Sequence, residues 1–522
     1  MLTTTILCLL TLEYSVAYTD KPNVVIFLAD DMGYADLQSY GNPLSMTPNI
    51  DKLERSGLKF TQMYSASPLC SASRAGLLTG RYPVRTGVWN TDPDGVAVFT
   101  PKSILGLPLN ETTIPEMLAT QGYKSAIIGK WHLGVGLSKQ YLPLNQGFDH
   151  FFGLPYSHES CFCSPCFYPD IECDFDMYNA SFPCPLMLEN DIIEQPLDLT
   201  TLAERQVRAA RSWIQEFACN ETPFFLYYSS LHPHIPQFAG RRYINQTKGG
   251  KYTDSLAELD WEIGEVMDEL RKNDLIKNTL VLFTSDNGPD KYSHTQGGFS
   301  GSMRCGKFCT FDGGSRVPAV ASWPGHIKQG VSMELLSHLD IWPTLRRLSG
   351  TPMDYFDIIL DGYDISDVLF NGVKSPRESL LYYNYMPDPE TGPYAIRNNR
   401  FKALFITENI FGTDPNDLDP MCRSGNATEI HERPLIYDLL VDPEERFDIA
   451  SNSALVTEMM VKLMNKESKV LFGPSVLAQV NSTVKLCCLS SCEPFPECCQ
   501  CPSIYSLDLF PIQNVCREGR KE

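Results

Sequence analysis

Residues 23–29, NVVIFLA, form an unbroken apolar run rich in β-branched side chains, the pattern of a strand buried on both faces of a parallel sheet. The same texture returns at residues 123–128, 224–229 (FFLYYS), 279–285 (TLVLFTS) and 317–322. Between these runs the apolar period lengthens to that of helices. Thr47-Pro48 opens one that carries Ile50 and Leu53 and stops at Gly57. Residues 201–217 place Leu202, Val207, Ala210, Trp213 and Ile214 on one side. Residues 255–273 do the same with Leu256, Leu259, Ile263, Val266, Met267 and Leu270, behind a Ser255/Glu258 capping box. Buried strands alternating with amphipathic helices predict an α/β fold, a large mixed, mostly parallel sheet sandwiched by helices. After a helix at 340–350 and a loop-rich link at 354–367, the runs shorten. Residues 380–383, 395–405 with an Asn398-Asn399 turn, and 435–440 predict antiparallel strands, and 455–464 a last helix. The expected division is a catalytic-scale unit over 18–373 and a smaller C-terminal α+β domain over 374–522, ending in a cysteine-rich tail.

Each long apolar run is followed by chemistry. Asp30-Asp31 follows the first, Lys130 and His132 (GKWHLG) the second, His232 and His234 the third, and Asp286-Asn287 the fourth. Ligands bind at the carboxyl ends of strands in open α/β sheets. Adjacent carboxylates repel unless a cation neutralises them. Asp30, Asp31, Asp286 and Asn287 therefore make an oxygen donor set suited to Ca²⁺ or Mg²⁺. Taken singly, each cluster could be a turn cap, a snorkelling lysine or a satisfied loop histidine; their recurrence at strand ends implies one shared crevice. Pro233 and Pro236 make a rigid loop that presents one of the two histidines as an acid or base. Residues 69–81, LCSASRAGLLTGR, place Cys70 at the start of a predicted helix. Free amides, the helix dipole and Arg74 one turn on favour an anion there. Lys307 is a further candidate cation for an anionic substrate.

Composition adds the compartment. A chain of 522 residues exceeds one small core. The formal charge of −20, from 63 acidic against 43 basic residues, excludes a general nucleic-acid surface and suits an acidic or extracellular setting. An apolar run at 6–12 followed by Ser15-Val16-Ala17 predicts a secretory signal over residues 1–17. No later run reaches the length of a membrane span. Sequons at Asn110, Asn179, Asn220, Asn245, Asn426 and Asn481 agree with that route. Of 18 cysteines, removing Cys8 and setting Cys70 aside leaves an even number. Two clusters, Cys161, Cys163, Cys166, Cys173 and Cys184, then Cys487, Cys488, Cys492, Cys498, Cys499 and Cys501, have no interleaved histidine and are expected to form disulfides rather than zinc sites.

Cys70-Ser71-Ala72-Ser73-Arg74 with Leu78-Thr79-Gly80-Arg81 resembles the first signature of the sulfatase family, within the alkaline phosphatase superfamily, and Gly129-Lys130-Trp131-His132-Leu133-Gly134 resembles the second. Gly134-Val135-Gly136, Gln146-Gly147-Phe148, Pro155-Tyr156-Ser157-His158, Arg304-Cys305-Gly306-Lys307 and the terminal Cys487-Cys488 and Cys498-Cys499-Gln500-Cys501 resemble the arylsulfatases of that family. The one departure is Ala72, where the signature has proline. The resemblance implies that a formylglycine-generating enzyme converts Cys70 to formylglycine, hydrated to a gem-diol. One hydroxyl attacks sulfur and expels the alcohol; the other then releases sulfate. It implies that Asp30, Asp31, Asp286 and Asn287 bind one Ca²⁺ together with residue 70, and that Arg74 and Lys130 hold the diol. His132 would be the base of the second step. His234, chosen over His232 by the motif, and Lys307 would bind sulfate and assist the leaving oxygen, with Ser157 a contact to sulfate or diol. Implied further are aryl sulfates or a sulfated galactolipid such as cerebroside 3-sulfate as substrate, a homodimer, and a lysosomal or extracellular location. Two other readings stand beside it: a phosphoester or phosphonate hydrolase of the same superfamily, and a secreted sulfated-glycan binding protein without turnover should Cys70 stay unconverted.

Overall fold

The computed structural model describes residues 21–91, 97–160, 182–218, 220, 222–291, 297–352, 355–407, 419–422, 428–481, 484, 486–489, 491–493, 498–501 and 510. The signal expected over 1–17, the sequons Asn179 and Asn426, and Cys161, Cys163, Cys166 and Cys173 lie outside the described residues. Asn110, Asn220, Asn245 and Asn481 are all exposed, as glycan acceptors must be.

The continuous apolar runs become the centre of an eleven-stranded sheet among the described residues. Its strands are β1 (Asn23–Ala29), β2 (Leu58–Tyr64), β3 (Lys124–Lys130), β4 (His150–Leu154), β5 (Leu186–Leu188), β6 (Asp191–Glu194), β7 (Phe224–Ser229), β8 (Thr279–Ser285), β9 (Arg316–Ser322), β10 (Gly330–Ser332) and β11 (Leu336–Ser337). They lie in the order β10-β2-β9-β8-β1-β7-β3-β4-β5-β6, with β11 beside β2. β8, β1, β7, β3 and β4 are mutually parallel, with Val25 in register with Val281 on one side and Leu226 on the other. β9 is antiparallel to both β8 and β2, so β2 runs the same way as the parallel five. Every residue of β1 and β7 is buried, which accounts for the absence of polar alternation in NVVIFLA and FFLYYS. A second sheet, antiparallel throughout, joins β12 (Ser379–Tyr382), β13 (Ala395–Asn398), β14 (Phe401–Thr407) and β15 (Glu429–Asp438). The helix Ala454–Glu467 lies against it through buried Met460 and Met464. This is the mixed, mostly parallel sheet with a separate antiparallel sheet that the hydrophobic pattern predicts.

One helix start departs from the prediction. The helix expected from residue 255 runs from Lys251 to Lys272, and Gly250 occupies its N-cap position. Ser255 and Glu258 therefore lie inside it and form no capping box. The Ser255 hydroxyl pairs with His232 Nδ1 at 2.7 Å, and Glu258 accepts from the Gly240 amide at 3.0 Å. Asp254 instead gathers the preceding turn, accepting from the amides of Asn245, Gln246 and Thr247. A capping box does open the helix Ile114–Ala119, from Thr113 and Glu116.

The loop after β1 buries Asp36, which accepts from Tyr252 Oη at 2.6 Å and from the amides of Gly33 and Phe299 at 2.6 and 2.8 Å. Burial outweighs these bonds and pushes its carboxyl up to about 7. Between the usual carboxylate range and 7 the folded chain thus holds a proton that the unfolded chain has released, so Asp36 adds stability as pH falls through that window. In thermal melts from pH 7 to pH 5, the wild type is expected to gain stability relative to Asp36→Asn; a constant difference would refute the assignment.

Candidate active site

Six strands that run the same way deliver their carboxyl ends to one edge of the large sheet. β1 ends in Asp30-Asp31, β8 in Asp286-Asn287, β3 in Lys130, β7 in the loop of His232 and His234, β4 in the turn of Ser157, and β2 in the segment that enters the Cys70 helix. Close approach of backbones sharpens this edge: Gly129 has φ +113°, and a Cβ there would lie 1.8 Å from the Ser229 carbonyl oxygen. Glycine before Lys130 lets β3 press against β7 and carries the lysine into the crevice.

The helix Cys70–Thr79 begins at Cys70 and closes on Gly80 at φ 68°, as its sequence predicts. The Cys70 thiol is buried and unbridged, 3.7 Å from Asp30 Oδ1 and 3.8 Å from Asp31 Oδ1. Burial pushes it well above the usual thiol range, against the pull of Lys130 and Lys307, so it is held neutral. Arg74 does not face an open anion pocket. Its guanidinium grips Asp286 Oδ2 at 3.0 and 2.8 Å, reaches Asp30 at 3.4 Å, and donates to Ser229 Oγ at 2.6 Å and the Lys130 carbonyl at 3.1 Å. Lys130 Nζ lies 2.7 Å from Asp30 and 3.2 Å from Ser157 Oγ. Lys307 Nζ lies 2.7 Å from Asp31 and 3.3 Å from His234 Nε2. All of these side chains are buried.

Charge is divided unequally within the cluster. Burial would raise Asp30, but the cations Lys130, Arg74 and Lys307 together hold it well below the usual carboxylate range. Burial wins at Asp31, lifting it to about 6 against the attraction of Lys307. His132 and His234 are both pushed down, first by burial and then by the neighbouring lysines, so both imidazoles are neutral. A neutral imidazole among fixed cations is a proton acceptor.

The donor set fits a hard divalent cation. Asp30, Asp31, Cys70 and His234 each bring a ligand atom within 4.8 Å of the others. Asn287 donates Nδ2 to Asp31 at 2.7 Å while its buried Oδ1 has no hydrogen-bond partner, and Asp286 Oδ1 accepts from the Asp31 amide at 3.1 Å. An orphaned carbonyl oxygen beside three carboxylates is what an oxygen-seeking ion would satisfy.

The two histidines after β7 part company. His234 enters the cluster, whereas His232 turns away to Glu258 at 3.1 Å and Ser255 at 2.7 Å, its ring against Phe238. Sequence reading missed Glu159, whose carboxylate sits 3.3 Å from His234 Nε2, and His158, whose ring lies 5.4 Å from that of His234. Both are contiguous with Ser157, and an acidic side chain beside a candidate anion site is the signal that marks Glu159.

Residues 22–351 match the sulfatase family model, and residues 375–501 match that of the C-terminal region of aryl-sulfatase. The chain belongs to the sulfatase family. This sulfatase is 41% identical to arylsulfatase A of Homo sapiens over 505 residues, spanning 95% of this chain and 98% of the relative. It is 34% identical to N-acetylgalactosamine-6-sulfatase of Mus musculus over 494 residues, 91% of this chain and 92% of the relative. Among solved structures it resembles the PsFucS1 sulfatase from Pseudoalteromonas sp., with a TM-score of 0.72 and 28% identity over 86% of this chain and 90% of that one. Family membership makes this sulfatase a sulfuric ester hydrolase. Among the described residues, one disulfide joins Cys305 to Cys422, 117 residues on, and three local ones join Cys487 to Cys499, Cys488 to Cys501 and Cys492 to Cys498. The second cysteine cluster is thus a disulfide knot, as expected. No helix among the described residues is long and apolar enough to cross a membrane.

Proposed function

We propose that this sulfatase hydrolyses sulfate monoesters by transferring the sulfuryl group to residue 70 after Cys70 is oxidised to formylglycine, at a site that Asp30, Asp31, Asp286 and Asn287 equip for one Ca²⁺. The observation that carries this reading is a neutral thiol, buried where a nucleophile is needed, within hydrogen-bonding range of two carboxylates and among three cations. A thiol kept protonated is a poor nucleophile; its position serves the reaction once its chemistry is changed. The cation, when bound, would polarise oxygen at residue 70, and formylglycine would supply an oxygen nucleophile with a second hydroxyl for turnover.

The remaining roles fall to the chain's own side chains. Lys130, Lys307 and Ser157 hold the sulfate oxygens, and Arg74 fixes the carboxylates Asp286 and Asp30 beside them. Lys307, a protonated ammonium 3.3 Å from the neutral His234 Nε2, is placed to give a proton to the departing alcohol oxygen, with His234 accepting from the ammonium and orienting it. His132, neutral, with Nδ1 unpartnered, takes the proton that release of sulfate requires. Likeness to arylsulfatase A favours an aryl sulfate or a sulfated galactolipid such as cerebroside 3-sulfate as substrate. It also favours a glycosylated homodimer in the lysosome or outside the cell, matured by a formylglycine-generating enzyme. The catalytic unit is assigned to residues 18–373 and the smaller domain to 374–522.

The test is a pair of measurements on the secreted protein. Hydrolysis of 4-nitrophenyl sulfate is expected to exceed that of 4-nitrophenyl phosphate by at least about 100-fold, the scale on which a site built for one anion rejects another. The peptide carrying residue 70 is expected to show an aldehyde in place of the thiol by mass. An intact thiol in active protein would sink the nucleophile, and a preference for phosphate would sink the substrate class.

A further inference from the structure

Lys307 sits in a loop whose two flanks are anchored outside the large sheet. On its N-terminal side, Arg304 Nε pairs with Asp419 Oδ2 at 2.7 Å and Cys305 is bridged to Cys422, 117 residues on. On its C-terminal side, Asp312 accepts Lys402 Nζ of β14 at 2.9 Å and donates its amide to Glu445 at 2.6 Å. Lys402 also pairs with Glu445 at 2.7 Å. Asp312, Lys402 and Glu445 are fully buried, and Tyr64, at the end of β2, donates to Asp312 at 2.7 Å. Between the two anchors the backbone is strained: Cys305 has φ 59° and Phe308 φ 75°, both left-handed and neither glycine. Such conformations persist only where the surroundings over-determine them. The same short loop touches the rest of the site. The Lys307 amide donates to Pro289, next to the Asp286-Asn287 end of β8, and the Phe308 amide donates to Pro68, just before the Cys70 helix, each at 2.9 Å.

We infer that the C-terminal sheet and its flanking loops form a clamp that sets the position of Lys307, with Lys402 and the Arg304–Asp419 pair as its positioning residues for sulfate-ester hydrolysis. The inference rests on the proposed role of Lys307 as a sulfate-binding cation. A buried charge triad is a poor source of stability compared with apolar packing, and its best-attested use is to fix register. Here the register fixed is that of Asp312, five residues from Lys307. Lys402 is held by Asp312 and Glu445, and Arg304 by Asp419, so their effect on the reaction is expected to pass through the loop.

A double-mutant cycle on the full-length protein tests this, with kcat and KM for 4-nitrophenyl sulfate and the residue-70 aldehyde content measured for every variant. Lys402→Met combined with Glu445→Gln removes the lysine and one of its two carboxylates, leaving Asp312 to Arg316 at 3.5 Å. It is expected to lower kcat/KM by on the order of 10- to 100-fold, the effect of displacing a positioned group, with aldehyde content unchanged. In a Lys307→Met background the same pair of changes is expected to cause less than about 2-fold further loss, because the group it positions is gone. Equal losses in both backgrounds would show a general structural effect and overturn the clamp. Should the double variant fail to be secreted, Asp419→Asn, at the half-buried end, carries the same cycle with an expected loss of roughly 3- to 10-fold. Wild-type kinetics in Lys307→Met alone would overturn the sulfate-binding role of Lys307 and the clamp with it. Impairment there together with equal losses in both backgrounds would overturn the clamp only.

Discussion

Cys70→Ala is expected to reduce sulfate-ester hydrolysis by about 10⁴-fold or more, the scale on which a covalent nucleophile is lost, while leaving the fold intact. The reason lies in what the thiol touches. Its hydrogen bonds run to Asp30 and Asp31 at 3.7 and 3.8 Å, and a thiol is a weak donor, so truncation removes little that holds the helix in place. The stability change is expected to be about 1 kcal/mol, readable by thermal melting at fixed calcium concentration. Cys70→Ser separates two chemistries. A serine hydroxyl offers one oxygen, which can accept the sulfuryl group but has no second hydroxyl to expel it, so this variant is expected to release at most one 4-nitrophenol per site. A rapid-mixing trace would show this as a burst without a steady state. Sustained turnover by Cys70→Ser would contradict the formylglycine nucleophile. Sustained turnover by Cys70→Ala would remove residue 70 from the reaction.

The parts of this molecule that sequence made legible are those in which neighbours in space are close in sequence or repeat one rule. Asp30-Asp31, Lys130 and Asp286-Asn287 each follow a run of apolar residues that could only be a buried strand, and parallel pairing brings all three to one edge. His234 and His232 could not be separated by spacing. Their divergence depends on Glu258 and Ser255, more than 20 residues on, drawing His232 away. The same event explains the false capping box, since a serine and a glutamate three apart carry the N-terminal signature whether they serve their own helix or a neighbouring loop. The clamp on Lys307 was illegible for a related reason: Lys402 and Asp312 are 90 residues apart, and nothing local in either sequence announces a buried pair. Arg74 was legible as a cation of the site, but its partner was not.

That partner makes Arg74 the second residue whose loss is expected to be severe. Arg74→Met leaves Asp286 with no guanidinium and Ser229 Oγ short of a donor, both fully buried, while the Lys130 carbonyl keeps only the Ser229 hydroxyl at 2.7 Å. Breaking one side of a buried ion pair costs about 3–5 kcal/mol, because the remaining charge is stranded rather than returned to water. Urea unfolding of the calcium-depleted protein should show a loss of that size. Arg74→Lys keeps the charge but cannot reproduce the fork on Asp286 together with the bonds to Ser229 and Lys130, so an intermediate loss of about 1–3 kcal/mol is expected. Calcium then discriminates the source of the effect. If the ion is held by the carboxylates that Arg74 braces, saturating Ca²⁺ compensates the stranded charge and the deficit of Arg74→Met should shrink as the concentration rises, by the mass-action dependence of any ligand bound to the folded state alone. A deficit that does not respond to calcium would place the ion elsewhere than on Asp286; a variant as stable as wild type without calcium would show that Asp286 is balanced by Lys130 and not by Arg74.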